Sequence, residues 1–160
     1  MTTQKMAICL WFDKQAEEAA QFYTSVFKNS EIGKISRYGK AGFEFHKMPE
    51  GTAMVVNFKL NGMDFNALNG GPLFKFNESI SIVVSCETQE EIDYYWDSLT
   101  SNGGQESQCG WLKDKYGVSW QIVPANLSAL LTGSDPEKSQ RVTRAFMQMK
   151  KFDIEKLKQA

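Results

Sequence analysis

The sequence predicts an α+β fold of two tandem βαβββ modules followed by a C-terminal helical tail, and three observations predict it. The pattern strand, helix, strand, strand, strand is written twice before residue 125. Each copy closes on the same kind of strand: "GMDFNAL" from Gly62 and "GVSWQIV" from Gly117 both run glycine, two variable residues, an aromatic (Phe65, Trp120), an amide (Asn66, Gln121) and two apolar residues. After Pro124 the strand pattern stops and only helical periodicity follows.

Residues 6–12 are rich in strand formers, and Asp13 behind them is placed to cap a helix. Along "KQAEEAAQFYTSVFKN" the apolar positions Ala16, Ala19, Ala20, Tyr23, Val26 and Phe27 form one helical stripe, with Glu17 and Glu18 facing water. Strands are expected over residues 30–38, 53–60 and 63–68, the last two joined by Asn61-Gly62, a strong hairpin signal. The second copy opens at Ser79 with "SISIVVSC". Thr88 then caps a helix, with Glu91 completing a capping box, and Ile92, Tyr95, Trp96 and Leu99 form its stripe. Asn102-Gly103-Gly104 stops it. Strands are expected within residues 105–109, 111–115 and 118–123.

A shift of seventy-two positions superposes the first strand and helix of the two copies, and fifty-five superposes the last strands, because the first copy carries a longer insertion around Gly39 to Gly51. The domain therefore spans residues 1–125, as modules 6–72 and 78–125, with 126–160 as a helical extension. In that extension Ser134 or Asp135 caps a helix with Pro136 in its first turn. Val142, Ala145, Phe146 and Met149 are its apolar side. Asp153 opens a last helix holding Ile154 and Leu157. The tail is expected to pack on the sheet or on a partner subunit.

At 160 residues with 42% apolar composition the chain can bury a sizeable core, and a net charge of -1 offers no basic field for nucleic acid. Cys9, Cys86 and Cys109 are odd in number and lack a CxxC pair, which suits a reducing cytoplasm. The run "MAICLWF" has no small-residue cleavage site and reads as a strand more than a signal peptide. Nothing approaches the roughly 18 apolar residues of a membrane span.

The segments "LWFDKQAEEAAQFYTSVF", "ALNGGPLFKF" and "DKYGVSWQIV" resemble the PhnB-like subgroup of the vicinal oxygen chelate superfamily, the glyoxalase, bleomycin-resistance and extradiol dioxygenase relatives. Subgroup members often carry the label 3-demethylubiquinone-9 3-methyltransferase. The resemblance covers residues 6–124 and implies a U-shaped, partly closed mixed sheet around a small-molecule cavity, usually in a homodimer. It also implies where a metal would sit. Metal-using members place His or Glu on the first and last strands of each module, the last strand commonly reading Asp-Pro-x-Gly-x-x-x-Glu. Here "DKYGVSWQ" puts Gln121 at the Glu position, and the internal repeat puts Asn66 at its equivalent. A neutral amide is a poor ligand for a hard divalent ion, so no metal or other cofactor is expected. Glu78, which a one-residue strand slip would turn inward, and the single His46 are the remaining candidates.

Strand alternation separates two faces. Ile80, Ile82, Val84, Val118, Trp120 and Ile122 suit the helix-facing core. Ser79, Ser81, Ser119 and Gln121, with Cys9, Trp11, Asn66 and Leu68 by the repeat, are assigned to a ligand-binding groove, and Trp111 and Tyr116 to its rim. Asp64 has the same parity but sits near its strand's start. Cys9 has no histidine near it in sequence to make a thiolate nucleophile. No glycine-rich strand-turn-helix for a methyl donor appears, nor a P-loop or GxSxG elbow. Asn69-Gly70-Gly71 reads as a turn, with a phosphate-binding nest as its alternative.

The expected function is binding of a small organic molecule without a catalytic metal. The alternatives are an enzyme of the lyase, isomerase or dioxygenase type, using Glu78 or His46 with a metal or Asp64, Lys113 or Tyr116 as acid-base groups; the labelled methyltransferase; or a dimer whose groove is vestigial.

Overall fold

The computed structural model describes residues 5–160, which divide into two compact units, one ending at Lys75 and one beginning at Phe76. Each unit is one βαβββ module. The first holds β1 (Ile8–Phe12), α1 (Ala16–Val26), β2 (Glu31–Arg37), a one-turn α2 (Phe43–His46), β3 (Ala53–Leu60) and β4 (Met63–Asn69). The second holds β5 (Ile82–Cys86), α3 (Gln89–Thr100), β6 (Gln105–Glu106), β7 (Trp111–Lys113) and β8 (Ser119–Pro124). It also carries α4 (Leu127–Leu131), α5 (Pro136–Met147) and α6 (Ile154–Gln159). The first sheet has the order β1-β4-β3-β2 and the second β5-β8-β7-β6. In both, the first strand runs parallel to the last and the other pairs are antiparallel. One topology is built twice.

The register corrects the seventy-two-residue shift. Ile8 lies opposite Phe65 and Ile82 opposite Trp120, so with the last strands matched at fifty-five the first strands are seventy-four apart. The buried helix residues Ala19, Tyr23 and Val26 answer to Ile92, Trp96 and Leu99, a shift of seventy-three. Tyr23 therefore corresponds to Trp96 and not to Tyr95. The physical reason is the strand-to-helix turn: three steps lead from Phe12 to the N-cap Gln15 but two from Cys86 to the N-cap Thr88.

Asp13 does not cap α1. Its N-cap is Gln15, which makes no side-chain capping bond; the open N–H of Ala16 donates instead to Asn69 Oδ1 at 2.8 Å. Asn69, 1% exposed, also donates from Nδ2 to Ala53 O at 2.9 Å and accepts the Tyr38 hydroxyl on its carbonyl. A single amide at the end of β4 thus ties the helix start to two other segments. Thr88 caps α3 as expected, accepting from Glu91 N, while the Glu91 carboxylate accepts from Glu87 N, one residue ahead of the usual capping box. Asn61 and Gly62 both take positive φ, 47° and 83°, the two-residue hairpin turn their sequence predicts.

The second unit departs from expectation at its first strand. Ser79 donates through both its backbone N and its hydroxyl to Asn77 Oδ1, a local turn that holds the chain out of the sheet, so β5 starts at Ile82 and Ile80 is 75% exposed. The core lies between each sheet and its helix: Phe58, Phe65 and Tyr23 in the first unit, Trp96, Trp120, Ile122 and Leu112 in the second, all nearly inaccessible. Each such side chain contributes about 1.5–3 kcal/mol.

The tail packs on its own unit. Asp135 caps α5 and Asp153 caps α6. Val142, Phe152 and Leu157 are buried, and the Gln89 amide donates to Phe152 O and accepts from Ile154 N. Cys109 N and Gly110 N donate to Met149 O and Lys150 O. Gly110 is required there: φ is +79°, and a Cβ would lie 2.5 Å from the Phe152 ring. No described helix is long and apolar enough to cross a membrane.

Candidate functional site

In each unit the face of the sheet away from its helix carries the polar side chains. In the first, the parallel register sets Cys9 opposite Asn66 and Trp11 opposite Leu68, and β3 adds Asn57 opposite Asn66. The register of β2 on β3 shifts between Ile32 and Ile35, and Gly33 at this bulge lies so close that a Cβ would sit 3.3 Å from Asn57 O. Asn57, Asn66, Lys59 and Asp64 line a concavity of about 510 Å³, with the Lys59–Glu31 ion pair at its rim. The Cys9 residue is exposed, but partial desolvation of its sulfur pushes the thiol up, away from thiolate.

Trp11 is committed elsewhere. Its indole lies across Gly70, where a Cβ would be 2.2 Å from the ring, donates to Gly71 O at 2.9 Å, and meets Phe74 edge-on at 4.9 Å. The N–H groups of Gly70 and Gly71 donate to Phe12 O and Asp13 O. No anion nest is open at this loop, and the turn reading of Asn69-Gly70-Gly71 stands.

In the second unit β7 and β8 bring four expected or candidate residues onto one face: Trp111 opposite Gln121 and Lys113 opposite Ser119. Gln121 Nε2 donates to Ser81 Oγ at 2.8 Å. Ser119, 1% exposed, donates to Asn77 O at 3.4 Å. Glu78 forms an ion pair with Lys113, and the hydrogen bond from Lys113 holds its carboxyl below the ordinary range. Glu78, Gln105, Glu106, Trp111, Lys113 and Ser119 are among the residues around a concavity of about 470 Å³. Ser79, exposed in its turn with Asn77, is not brought to this face.

The strand is aimed by the loop before it. Asp114, 3% exposed, accepts from Tyr116 N and Val118 N on one oxygen and from Trp120 Nε1, at 2.8 Å, on the other. That triple bond set fixes the Trp120 ring inward and so turns Ser119 and Gln121 outward. Sequence reasoning passed over Asn57 and Gln105. Asn57 was legible, since Asn57 and Lys59 alternate with the buried Phe58 and Leu60.

The family model for 3-demethylubiquinone-9 3-methyltransferase matches residues 4–123. The chain belongs to this family. One solved relative, the PhnB protein of Bacillus cereus, whose description carries the same methyltransferase label as putative, is 40% identical over 75% of this chain and 99% of its own, with a TM-score of 0.66. A Pseudomonas aeruginosa protein shares the fold at 15% identity and TM-score 0.58, over 76% of this chain and 98% of its own. So does a variant of the fosfomycin resistance protein FosX of Listeria monocytogenes, complexed with Mn(II) and 1S,2S-dihydroxypropylphosphonic acid, at 17% identity and TM-score 0.50, over 76% and 92%. No curated protein matches. The family sits in the vicinal oxygen chelate superfamily, and the α+β module pair is its glyoxalase-like fold.

The groups these relatives suggest do not fit the residues present. By register, the positions on the first and last strands are Cys9 with Asn66 and Val83 with Gln121: a thiol kept protonated, two neutral amides and an aliphatic side chain. Among the described residues no group of three or more His, Cys, Asp or Glu is placed to hold a metal ion. Glu78 is tied to Lys113. His46 is packed against Tyr38 at 4.4 Å, with Nδ1 accepting from Met48 N and Nε2 3.3 Å from Ala41 O. A methyl donor of the dinucleotide-fold kind finds no cradle either: β1 passes to α1 through Asp13, Lys14 and Gln15, without a glycine.

Proposed function

We propose that the chain binds a small organic molecule on the helix-free face of its second sheet, through Trp111 and Ser119 in its concavity and Gln121 beside it, opposite Trp111, without a catalytic metal. One observation carries the reading: a concavity of about 470 Å³ in which a half-buried tryptophan stands beside the Glu78–Lys113 ion pair and the buried hydroxyl of Ser119, a mixture of apolar and polar groups usual for a small-molecule site. Ser81 orients the Gln121 amide, while Cys9 and Asn66, with Asn57, supply a second polar face in the first unit. Trp11 supports the loop beside that face. The metal-free part rests on the amides and on Val83 at the positions where ligands would be needed.

Two measurements test it. Mass spectrometry of the protein, native against denatured, is expected to show a copurifying compound or, after a metabolite screen, a bound one; no binding by either route sinks the proposal. Elemental analysis of protein purified without chelators is expected to find no stoichiometric Mn, Fe, Ni or Zn, and finding one sinks the metal-free part. The family resemblance supports two further proposals, a homodimer and a cytoplasmic site of action. Light scattering of the purified chain and fractionation of cells check them.

A further inference from the structure

Two asparagines stand side by side on the helix-free face of the first sheet. Asn57 of β3 lies directly opposite Asn66 of β4. Leu60 and Met63 close the two-residue turn as a hydrogen-bonded pair, which makes Asn57 and Asn66 a non-hydrogen-bonded pair, with Cα atoms about 4.5 Å apart and side chains alongside. Neither amide has a hydrogen-bond partner among the described residues, and both line the concavity of about 510 Å³. Each offers N–H donors and a carbonyl acceptor in one plane, the arrangement that pairs with another amide through two hydrogen bonds at once. We infer that this concavity binds a compound presenting an amide edge, a carbonyl beside an N–H, as in a carboxamide or lactam. It is a second site, and it stands or falls without the one proposed on the second sheet.

Gly33, which also lines the concavity, leaves the row uncovered. Its φ is not in the left-handed region, so the backbone conformation there does not demand a glycine. A Cβ at this position would stand 3.6 Å from Asn57 Cβ, and a longer side chain would crowd the Asn57 amide. A glycine inside a strand weakens it and marks a place where another group comes close. The row Cys9, Asn66, Asn57, Gly33 holds no charged side chain. The charges lie two residues nearer the turn, where Lys59 is opposite Asp64 and 3.6 Å from Glu31. Two carboxylates against one ammonium penalise an acid relative to its amide, and an acid also lacks the N–H that an asparagine carbonyl accepts. Phe58 and Phe65, the aromatic residues of this lining, are 3% and 2% exposed and stack on each other in the core, so no ring is offered to the face of a sugar.

Heteronuclear NMR of the full chain reads the site directly, because the side-chain amide signals of Asn57 and Asn66 can be assigned with Asn57→Ala and Asn66→Ala. Pyrrolidinone and isobutyramide are expected to shift both pairs of signals saturably. Cyclopentanone and isobutyrate, which keep the shape but lack the N–H, should bind about three- to tenfold more weakly, the scale of one net hydrogen bond. Asn57→Ala truncates an exposed side chain, so it should remove that preference and leave the rest of the backbone spectrum in place. No saturable shift at either amide overturns the inference, as does a ketone, an acid or glycerol that binds as tightly as the amides. Binding at the second sheet is read at the indole N–H of Trp111, so either site can fail while the other holds.

Discussion

Replacing Asn69 with alanine should destabilise the first unit more than any other single polar change there. The amide is 1% exposed and satisfies two buried groups on different segments, the Ala16 N–H at 2.8 Å and the Ala53 carbonyl at 2.9 Å. Each bond contributes about 0.5–1.5 kcal/mol net, and each buried partner left without one costs about 1–3 kcal/mol. Partial access of water to the vacated space offsets some of this, so the expected loss is about 2–5 kcal/mol. Asn69→Asp keeps the acceptor for Ala16 N–H and puts negative charge at the start of α1, worth about 0.3–1 kcal/mol, but sets an oxygen against Ala53 O. It should fall between wild type and alanine. Urea unfolding gives the free energies, and amide exchange at Ala16 reports the lost cap locally. An Asn69→Ala loss below about 0.5 kcal/mol, the range of an ordinary surface change, would refute the reasoning.

Gly70→Ala is expected to cost about 1–3 kcal/mol in wild type, by forcing the indole of Trp11 off the loop, and little in a Trp11→Ala background. Unfolding free energies that add within about 0.5 kcal/mol across this double-mutant cycle would show that the two do not touch. With a thiol-specific reagent at pH 8, exposed Cys9 should react first; Cys86, 1% exposed and pushed up to about 12 by burial and Glu91, should react only on unfolding. Single-cysteine variants assign the phases. The Lys151–Asp93 pair should hold the tail through the neutral range. Hydrogen bonding to Lys151 lowers Asp93 from 3.8, so its contribution is present above that value and is lost as pH falls through the depressed folded value. The same bond raises Lys151 from 10.5, so its contribution is present below that value and is lost as pH rises through the raised one. Exchange of the Cys109 and Gly110 amides should quicken at both extremes, and Lys151→Gln should quicken it at neutral pH.

Most of the architecture was legible because alternation and helical stripes report burial directly. β3 was placed at both ends, the Asn61-Gly62 hairpin by its turn chemistry, and α6 by its Asp153 cap. What was illegible depended on partners distant in sequence. The cap of α1 comes from Asn69, fifty-three residues away, so the nearer Asp13 looked like the cap. The start of β5 is set by an Asn77 side chain that competes with the ladder for Ser79. The short α4 and the one turn of α2 have too few residues for a period to emerge. On the candidate face, parity placed Gln121 and Ser119 outward. Nothing in the strand itself announced that Asp114 holds Trp120 and thereby sets that parity.

The two halves share a skeleton but not a lining. Where the first sheet sets Cys9, Asn66 and Asn57 in one row, the second sets Val83, Gln121 and Trp111. The chain thus carries two copies of one scaffold whose inward faces are both aromatic while their outward faces differ. A chain built this way can retune one surface for a new compound while the other copy keeps its own chemistry, because alternation along each strand sets each row on the opposite face of its own sheet from that sheet's buried layer.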